Sequence, residues 1–243
     1  MTRDYLSFSA LRAFSKSPNH YLEYERKKAE GGDPSPAMHF GRLAHSLVLE
    51  PEKFGKDWAV APQCDRRTKA GKATWADFLE SATGREVASF DDFKRAKAVA
   101  ESVSAHPESE RLFSGSKFEK KLNGKIGGFE FLGFADISGA DFIVDLKTTR
   151  DASHHAFQRD AFNGLYHIQA AIYLKLTGLE NYYIIAAESV APYNVGIFEM
   201  DSEMIARGFE LLEDLIFNFA TWDGKPSTYS SEIEVLKLPG WAL

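Results

Sequence analysis

The strongest constraint on the fold is a run of short alternating segments between residues 116 and 149, SKFEKKLNGKIGGFEFLGFADISGADFIVDLKTT. Apolar and polar residues take turns along each segment, and Asn-Gly, Gly-Gly and Ser-Gly break the run. This is the pattern of antiparallel strands joined by tight turns, a β-meander. Into its apolar part fall Asp136 and, nine residues on, Asp145, followed by Lys147. Asp136 is expected at the end of one hairpin strand. Asp145 and Lys147 then alternate onto one face of the next strand, with Leu146 on the other. Three charges converge on one edge of a sheet, where burying them unpaired would be costly. A divalent cation held by the two carboxylates would offset the desolvation and set the ammonium beside whatever the metal holds. A salt-bridged hairpin is the alternative that so short a pattern leaves open.

Around the meander, periodicity changes to that of helices. LSFSALRAFSKSPNHYLEYERKK reads as two short helices divided at Pro18, with Ser7 or Ser9 as a cap, and residues 38–49 form another that contains His45 and ends before Pro51. VAPQCDRRTKAGKATW reads as a loop carrying Arg66, Arg67, Lys69 and Lys72; ATWADFLESA and FDDFKRAKAVAESVSAHP read as helices after it. LYHIQAAIYLKLTG is a helix stopped by Gly178, YYIIAAES and YNVGIFEM are strands, and MIARGFELLEDLIFNFATW is a long amphipathic helix with Phe209, Leu212, Leu215, Ile216 and Phe219 inward. The expected fold is α/β (α+β), a mixed central sheet flanked by helices. With 243 residues, 44% of them apolar, the chain can bury one sizeable core. We therefore expect a single domain over residues 1–243, with a helical part at about 5–110 and a sheet core at about 115–222.

Cys64 is the only cysteine, which excludes an intrachain disulfide framework and any cysteine-held zinc or iron–sulfur cluster. The net charge of −6 means that a polyanion must be held by a local basic surface, not by the field of the whole molecule. The opening MTRDYLSFSALRAF has no basic stretch leading into an apolar one, and nothing approaches the ~18 apolar residues of a membrane span. The expectation is a cytoplasmic protein without membrane contact.

The placement of Asp136 and of Asp145-Leu146-Lys147 resembles the PD-(D/E)XK nuclease superfamily, with FAD in place of the Pro-Asp dipeptide. Further elements resemble its RecB-like branch in order: GRLAHSLVLEP around His45, FEKKL around Glu119, and QAAIY with Gln169 and Tyr173. SFSALRAFSKSPNHY and DRRTKAGKATW look most like RecE-type prophage exonucleases, of the exodeoxyribonuclease VIII kind. Related nucleases of CRISPR systems share much of this pattern but carry a four-cysteine cluster, which one cysteine excludes.

The resemblance implies a restriction-endonuclease-like core and Mg2+-dependent hydrolysis of double-stranded DNA, with Mn2+ as a substitute and two ions per site. Asp136, Asp145 and the Leu146 carbonyl would hold one ion, with His45 at a neighbouring position. Lys147 would orient or deprotonate the attacking water, Glu119 would serve as an auxiliary acid, and Gln169 and Tyr173 would act around the metal and the DNA backbone. Arg66, Arg67, Lys69 and Lys72 would contact phosphates, with ERKK at residues 25–28 as a second basic segment. Also implied are 5'→3' digestion leaving 3' single-stranded tails for phage-type recombination, a toroidal tetramer, and a single-strand annealing partner. An endonuclease or structure-specific nuclease on the same fold is the enzymatic alternative. A non-catalytic DNA-binding module is a second, although such a module would ordinarily have lost an acid or the lysine.

Overall fold

A computed structural model describes residues 5–32, 34–227, 229–230 and 232–238. The chain begins with helices α1 (Phe8–Lys16) and α2 (Pro18–Glu30). Ser7 and Ser17 cap them by accepting from the Ala10 and His20 amides, and Pro18 occupies the first turn of α2, where its missing N–H costs nothing. Helix α3 (Pro36–Leu49), the single turn α4 (Phe54–Asp57), strand β1 (Trp58–Val60), helix α5 (Lys69–Ser81), strand β2 (Glu86–Ala88), and helices α6 (Phe90–Ala105) and α7 (Pro107–Phe113) complete the helical part. The meander follows as β3 (Lys117–Ile126), β4 (Phe129–Ser138) and β5 (Phe142–Thr149). Helices α8 (His154–Asn163) and α9 (Tyr166–Thr177) then lead to β6 (Asn181–Glu188), β7 (Val195–Glu199) and α10 (Ser202–Thr221). Among the described residues no helix is long and apolar enough to cross a membrane.

The main sheet has the order β3-β4-β5-β6-β7; β5 and β6 run parallel, and the other neighbours are antiparallel. This is the mixed, helix-flanked sheet that the sequence predicts. The α8–α9 crossover supplies the parallel step, since parallel neighbours cannot be joined by a tight turn. One face carries α1, α8, α9 and α10 through Leu11, Phe157, Ile168, Ile172 and Leu212; the other carries α3 and α6 through Leu43, Ala44, Val99 and Val103. Within β5, Ile143 belongs to the first core, and Val144 and Leu146 to the second.

The β3/β4 hairpin does not keep one face throughout. Leu122, Ile126, Phe131 and Ala135 pack in the core under α9, whereas Phe118 and Ile137 pack in the core under α3. The exchange falls where Glu119 stands opposite Asp136, between the pairs Phe118–Ile137 and Lys120–Ala135. Glu119 has φ of +47° there, a left-handed conformation that costs an ordinary residue on the order of 1 kcal/mol.

Five short elements escape periodicity, α4 and α7 among them. Strands β1 and β2 are three residues each and pair in parallel as a separate sheet. Helix α8 has no side-chain cap bond and buries only Phe157 and Ala161. The segment read as a loop through Trp75 is helical from Lys69, because Thr68 caps α5 by accepting from the Gly71 amide. Lys69 and Lys72 therefore lie on the first turn of a helix, and only Arg66 and Arg67 on the loop before it.

α10 packs on α9 at Gly208, where an added Cβ would lie 2.1 Å from the His167 carbonyl oxygen. On a solvent-facing helix Gly→Ala gains about 1 kcal/mol. At this contact the backbones must move apart, so Gly208→Ala is expected to lose roughly 1–3 kcal/mol instead, measured by urea unfolding.

Candidate active site

The hairpin exchange brings Glu119 and Asp136 side by side, and the α3 layer adds His45. The three offer ligand atoms that all lie within 4.8 Å of one another. Asp136 is 8% exposed, and its Oδ2 accepts from the Leu146 amide at 2.6 Å. His45 Nε2 donates to the Leu146 carbonyl at 2.7 Å, which puts the ring proton on Nε2. The other nitrogen, Nδ1, lies 3.7 Å from Asp136 Oδ2 with its lone pair available. One residue of β5, Leu146, thus holds both groups through its backbone while its side chain fills the core.

The opposite face of β5 carries the second half of the constellation. Asp145, 2% exposed, accepts at Oδ1 from Gln169 Nε2 at 2.7 Å. Gln169 in turn accepts from Lys147 Nζ at 3.1 Å, and its Nε2 also donates to the Tyr173 hydroxyl at 3.3 Å. Lys147 Nζ lies 2.5 Å from Asp145 Oδ2, an ion pair without hydrogen-bond geometry that leaves this buried oxygen otherwise unpartnered. The i, i+4 spacing in QAAIY puts Gln169 and Tyr173 on the face of α9 that meets β5. Gly133 makes room for Tyr173: an added Cβ would sit 2.7 Å from its ring.

Electrostatics follow from desolvation. Burial, reinforced by the charge on Asp145, raises Asp136 well above the ordinary carboxylate range. Glu119 is pushed up to about 7 by burial and then by Asp136. Burial lowers His45 and keeps it neutral. For Lys147 burial is the largest influence and opposes the charge, yet Asp145 and Asp136 outweigh it and hold the ammonium above its ordinary value.

The constellation thus joins His45, Glu119, Asp136, Asp145, Leu146, Lys147, Gln169 and Tyr173. The sequence reading missed Tyr166, whose ring centroid lies 4.7 Å from Lys147 Nζ, although it precedes Gln169 by one helical turn. It also missed Arg12, which lines a polar cleft of about 250 Å3 with Thr148, Thr149, Asp160 and Tyr166. Nothing in the sequence signals that approach, because α1 and β5 are far apart along the chain. The basic residues of α5 and its preceding loop are not part of the cluster. Arg66 lies over the Trp75 ring and Arg67 pairs with Asp65, and no hydrogen bond or ion pair among the described residues links Arg66, Arg67, Lys69 or Lys72 to the carboxylates. In ERKK, Arg26 pairs with Glu23 and Glu30, and Lys27 with Glu23, so these cations are largely compensated.

A family model described as a PDDEXK-like domain of unknown function (DUF3799) matches residues 7–238. The chain belongs to this family. Among solved structures, an exonuclease candidate from Eubacterium rectale is similar at 16% identity and a TM-score of 0.63, over 97% of this chain and 90% of that one. The PDDEXK-like fold is therefore shared over nearly the full length of both. A phage-related exonuclease from Haemophilus somnus aligns at 16% identity over 73% of this chain and 94% of that one, with a TM-score of 0.31. No curated protein matches the sequence significantly.

The raised carboxyl groups test whether this PDDEXK-like site takes a cation. A group whose folded pKa is raised gives its full stability below the unfolded value, near 4 for a carboxylate, and loses it as pH rises through the folded value. His45 works in the opposite sense, but only below its unfolded pKa of about 6.5. From about pH 6.5 to 7.5 the metal-free protein is therefore expected to lose stability as Glu119, pushed up to about 7, ionises, with the raised Asp136 acting in the same sense. Added Mn2+ or Mg2+ should raise the melting temperature more at the upper end of that range, since it binds the ionised form. Scanning calorimetry with and without the ion checks this, and a shift independent of pH, or equally large in Asp136→Asn, would contradict it.

Proposed function

We propose that the protein is a divalent-metal-dependent deoxyribonuclease that digests duplex DNA from an end. The observation that carries this reading is the convergence of two buried carboxylates, a neutral histidine and a locked lysine around the inner strands β4 and β5 in a PDDEXK-like chain. The donor set suits a hard cation: carboxylate oxygens, a backbone carbonyl and one imidazole nitrogen. Asp136, Asp145 and the Leu146 carbonyl would hold it, the carbonyl through the lone pair that His45 leaves unused, with Nδ1 of His45 and Glu119 serving a neighbouring position. Mg2+ is the ion proposed, with Mn2+ as its substitute and two ions per site. When bound, the ion supplies charge neutralisation at the phosphate and a lowered pKa for a coordinated water.

The chain's own groups do the rest. Gln169 fixes Asp145 and Lys147 relative to one another, since its amide spends both ends on them. Lys147, held as an ammonium against Asp145, is suited to donating a hydrogen bond that orients the water or a phosphate oxygen. Arg12, Thr148 and Thr149 line the adjoining cleft and offer donors to a DNA strand. The chain acts as one catalytic domain over residues 1–243. By resemblance to RecE-type exonucleases it would work 5'→3' in the cytoplasm as a ring-shaped homo-oligomer. It would leave 3' tails for an annealing protein in prophage recombination.

End-labelled linear duplex and covalently closed circular duplex, each with Mg2+ or with EDTA, test the reading. Degradation of the linear form alone, dependent on the ion, is expected, and Asp136→Ala or Asp145→Ala should lower it roughly 100-fold or more. Cutting of the circle would favour an endonuclease, and equal activity in EDTA would contradict the proposal.

Phosphate contacts are proposed for the α5 region. Arg66 and Lys72 have no ion-pair partner among the described residues, so replacing both with Gln should weaken binding equally for all sequences. The log–log salt dependence should flatten by roughly 1–2, at ~0.9 per phosphate contact. A salt titration with Ca2+ in place of Mg2+ measures it, and an unchanged slope would move the duplex path elsewhere.

A further inference from the structure

Beyond α10 the chain is tethered at Ser227, whose amide donates to Asn19 Oδ1, and at Tyr229, whose hydroxyl lies 3.4 Å from His20 Nδ1. Ile233, Val235, Leu236 and Leu238 are 100, 80, 98 and 69% exposed. Burying an aliphatic side chain of this size is worth about 1.5–3 kcal/mol, so four of them in water are an unusual liability. The stretch IEVLKL is rich in the aliphatic and β-branched residues that strands favour.

Elsewhere the fold offers a matching surface. β7 is an edge strand, and among the described residues no strand pairs with its outer side. Its Ile197 and Phe198 also line an apolar groove of about 320 Å3, completed by Phe157, Ile184, Met200 and Met204. An exposed edge beside an apolar groove is the surface that strand addition uses.

We propose that residues 233–238 of one copy add as a parallel strand to the edge of β7 in a second copy. Register and charge favour this alignment. Ile233 falls beside Val195, Val235 beside Ile197, Leu236 beside Phe198 at the groove, and Lys237 beside Glu199. The antiparallel alignment of the same residues sets Glu234 against Phe198 and Lys237 against Val195. Reach decides between copies. The groove touches Asp201 and Met204 at the start of α10, whereas the tether lies past its end, and 20 helical residues span about 30 Å. Leu236 is seven residues past Tyr229, which is held at His20; that length extends at most about 25 Å, short of the helix span, so a chain does not fill its own groove. Donor and acceptor surfaces differ, which makes the contact heterologous. The inference does not depend on the nuclease reading.

The test is light scattering on the full chain and on the double variant Ile233→Asp/Leu236→Asp, whose side chains are too exposed for the change to affect folding. The wild type is expected as an oligomer and the variant as a single chain with an unchanged melting temperature. In a second measurement, Ile197→Cys and Val235→Cys chains, each also carrying Cys64→Ser, are mixed under mild oxidation. A disulfide-linked 197/235 peptide pair should be recovered by mass spectrometry from the mixture. A monomeric wild type, an oligomer that survives the double variant, or a mixture without that peptide pair would each overturn the proposal, as would association that requires a different protein.

Discussion

The structure turns on one unfavourable act, the burial of Asp136 and Asp145 on two inner strands of a sheet. Desolvating two carboxyl groups in one place is costly, and everything around them reads as partial compensation. The Leu146 amide satisfies an oxygen of Asp136, Gln169 satisfies one of Asp145, and Lys147 supplies a positive charge to the other. None of these offsets the burial of Asp136, whose carboxyl is held well above the usual range by desolvation and by the neighbouring Asp145.

Two layers of helix share the task because the charges face different ways. His45 comes from α3 on one side of the sheet, and Gln169 and Tyr173 from α9 on the other. They meet at β5 because it is a central strand, where alternate residues serve opposite cores while the backbone of Leu146 remains within reach of the hairpin. The face exchange at Glu119 and Asp136 is the local distortion that brings β4 to this meeting point. Its left-handed residue is strained, and tolerated where the packing of both cores defines the hairpin on either side.

Charge at the periphery follows different rules. Arg26, Arg67 and Arg111 sit in ion pairs at the surface, worth little to stability but enough to take them out of contention for phosphate. In a chain with net charge −6, the few cations without a carboxylate beside them matter more than the cationic count of any segment.

By itself the sequence determined the meander and the helices with a clear apolar stripe, and it set Asp145 with Lys147, and Gln169 with Tyr173, on shared faces of their elements. Alternation along a strand and i, i+4 spacing on a helix are properties of neighbouring residues, so a linear pattern carries them. It missed α4, α7, α8 and the two three-residue strands, because elements so short or so polar bury too little to impose a period. Only the tertiary structure decided that Glu119 faces Asp136, that His45 spends Nε2 on Leu146, and that Tyr166 and Arg12 join the neighbourhood of Lys147. Each of these is an approach between segments tens of residues apart. Such approaches are set by how two cores pack on opposite faces of one sheet, and packing is a property of the whole chain, not of any stretch of it.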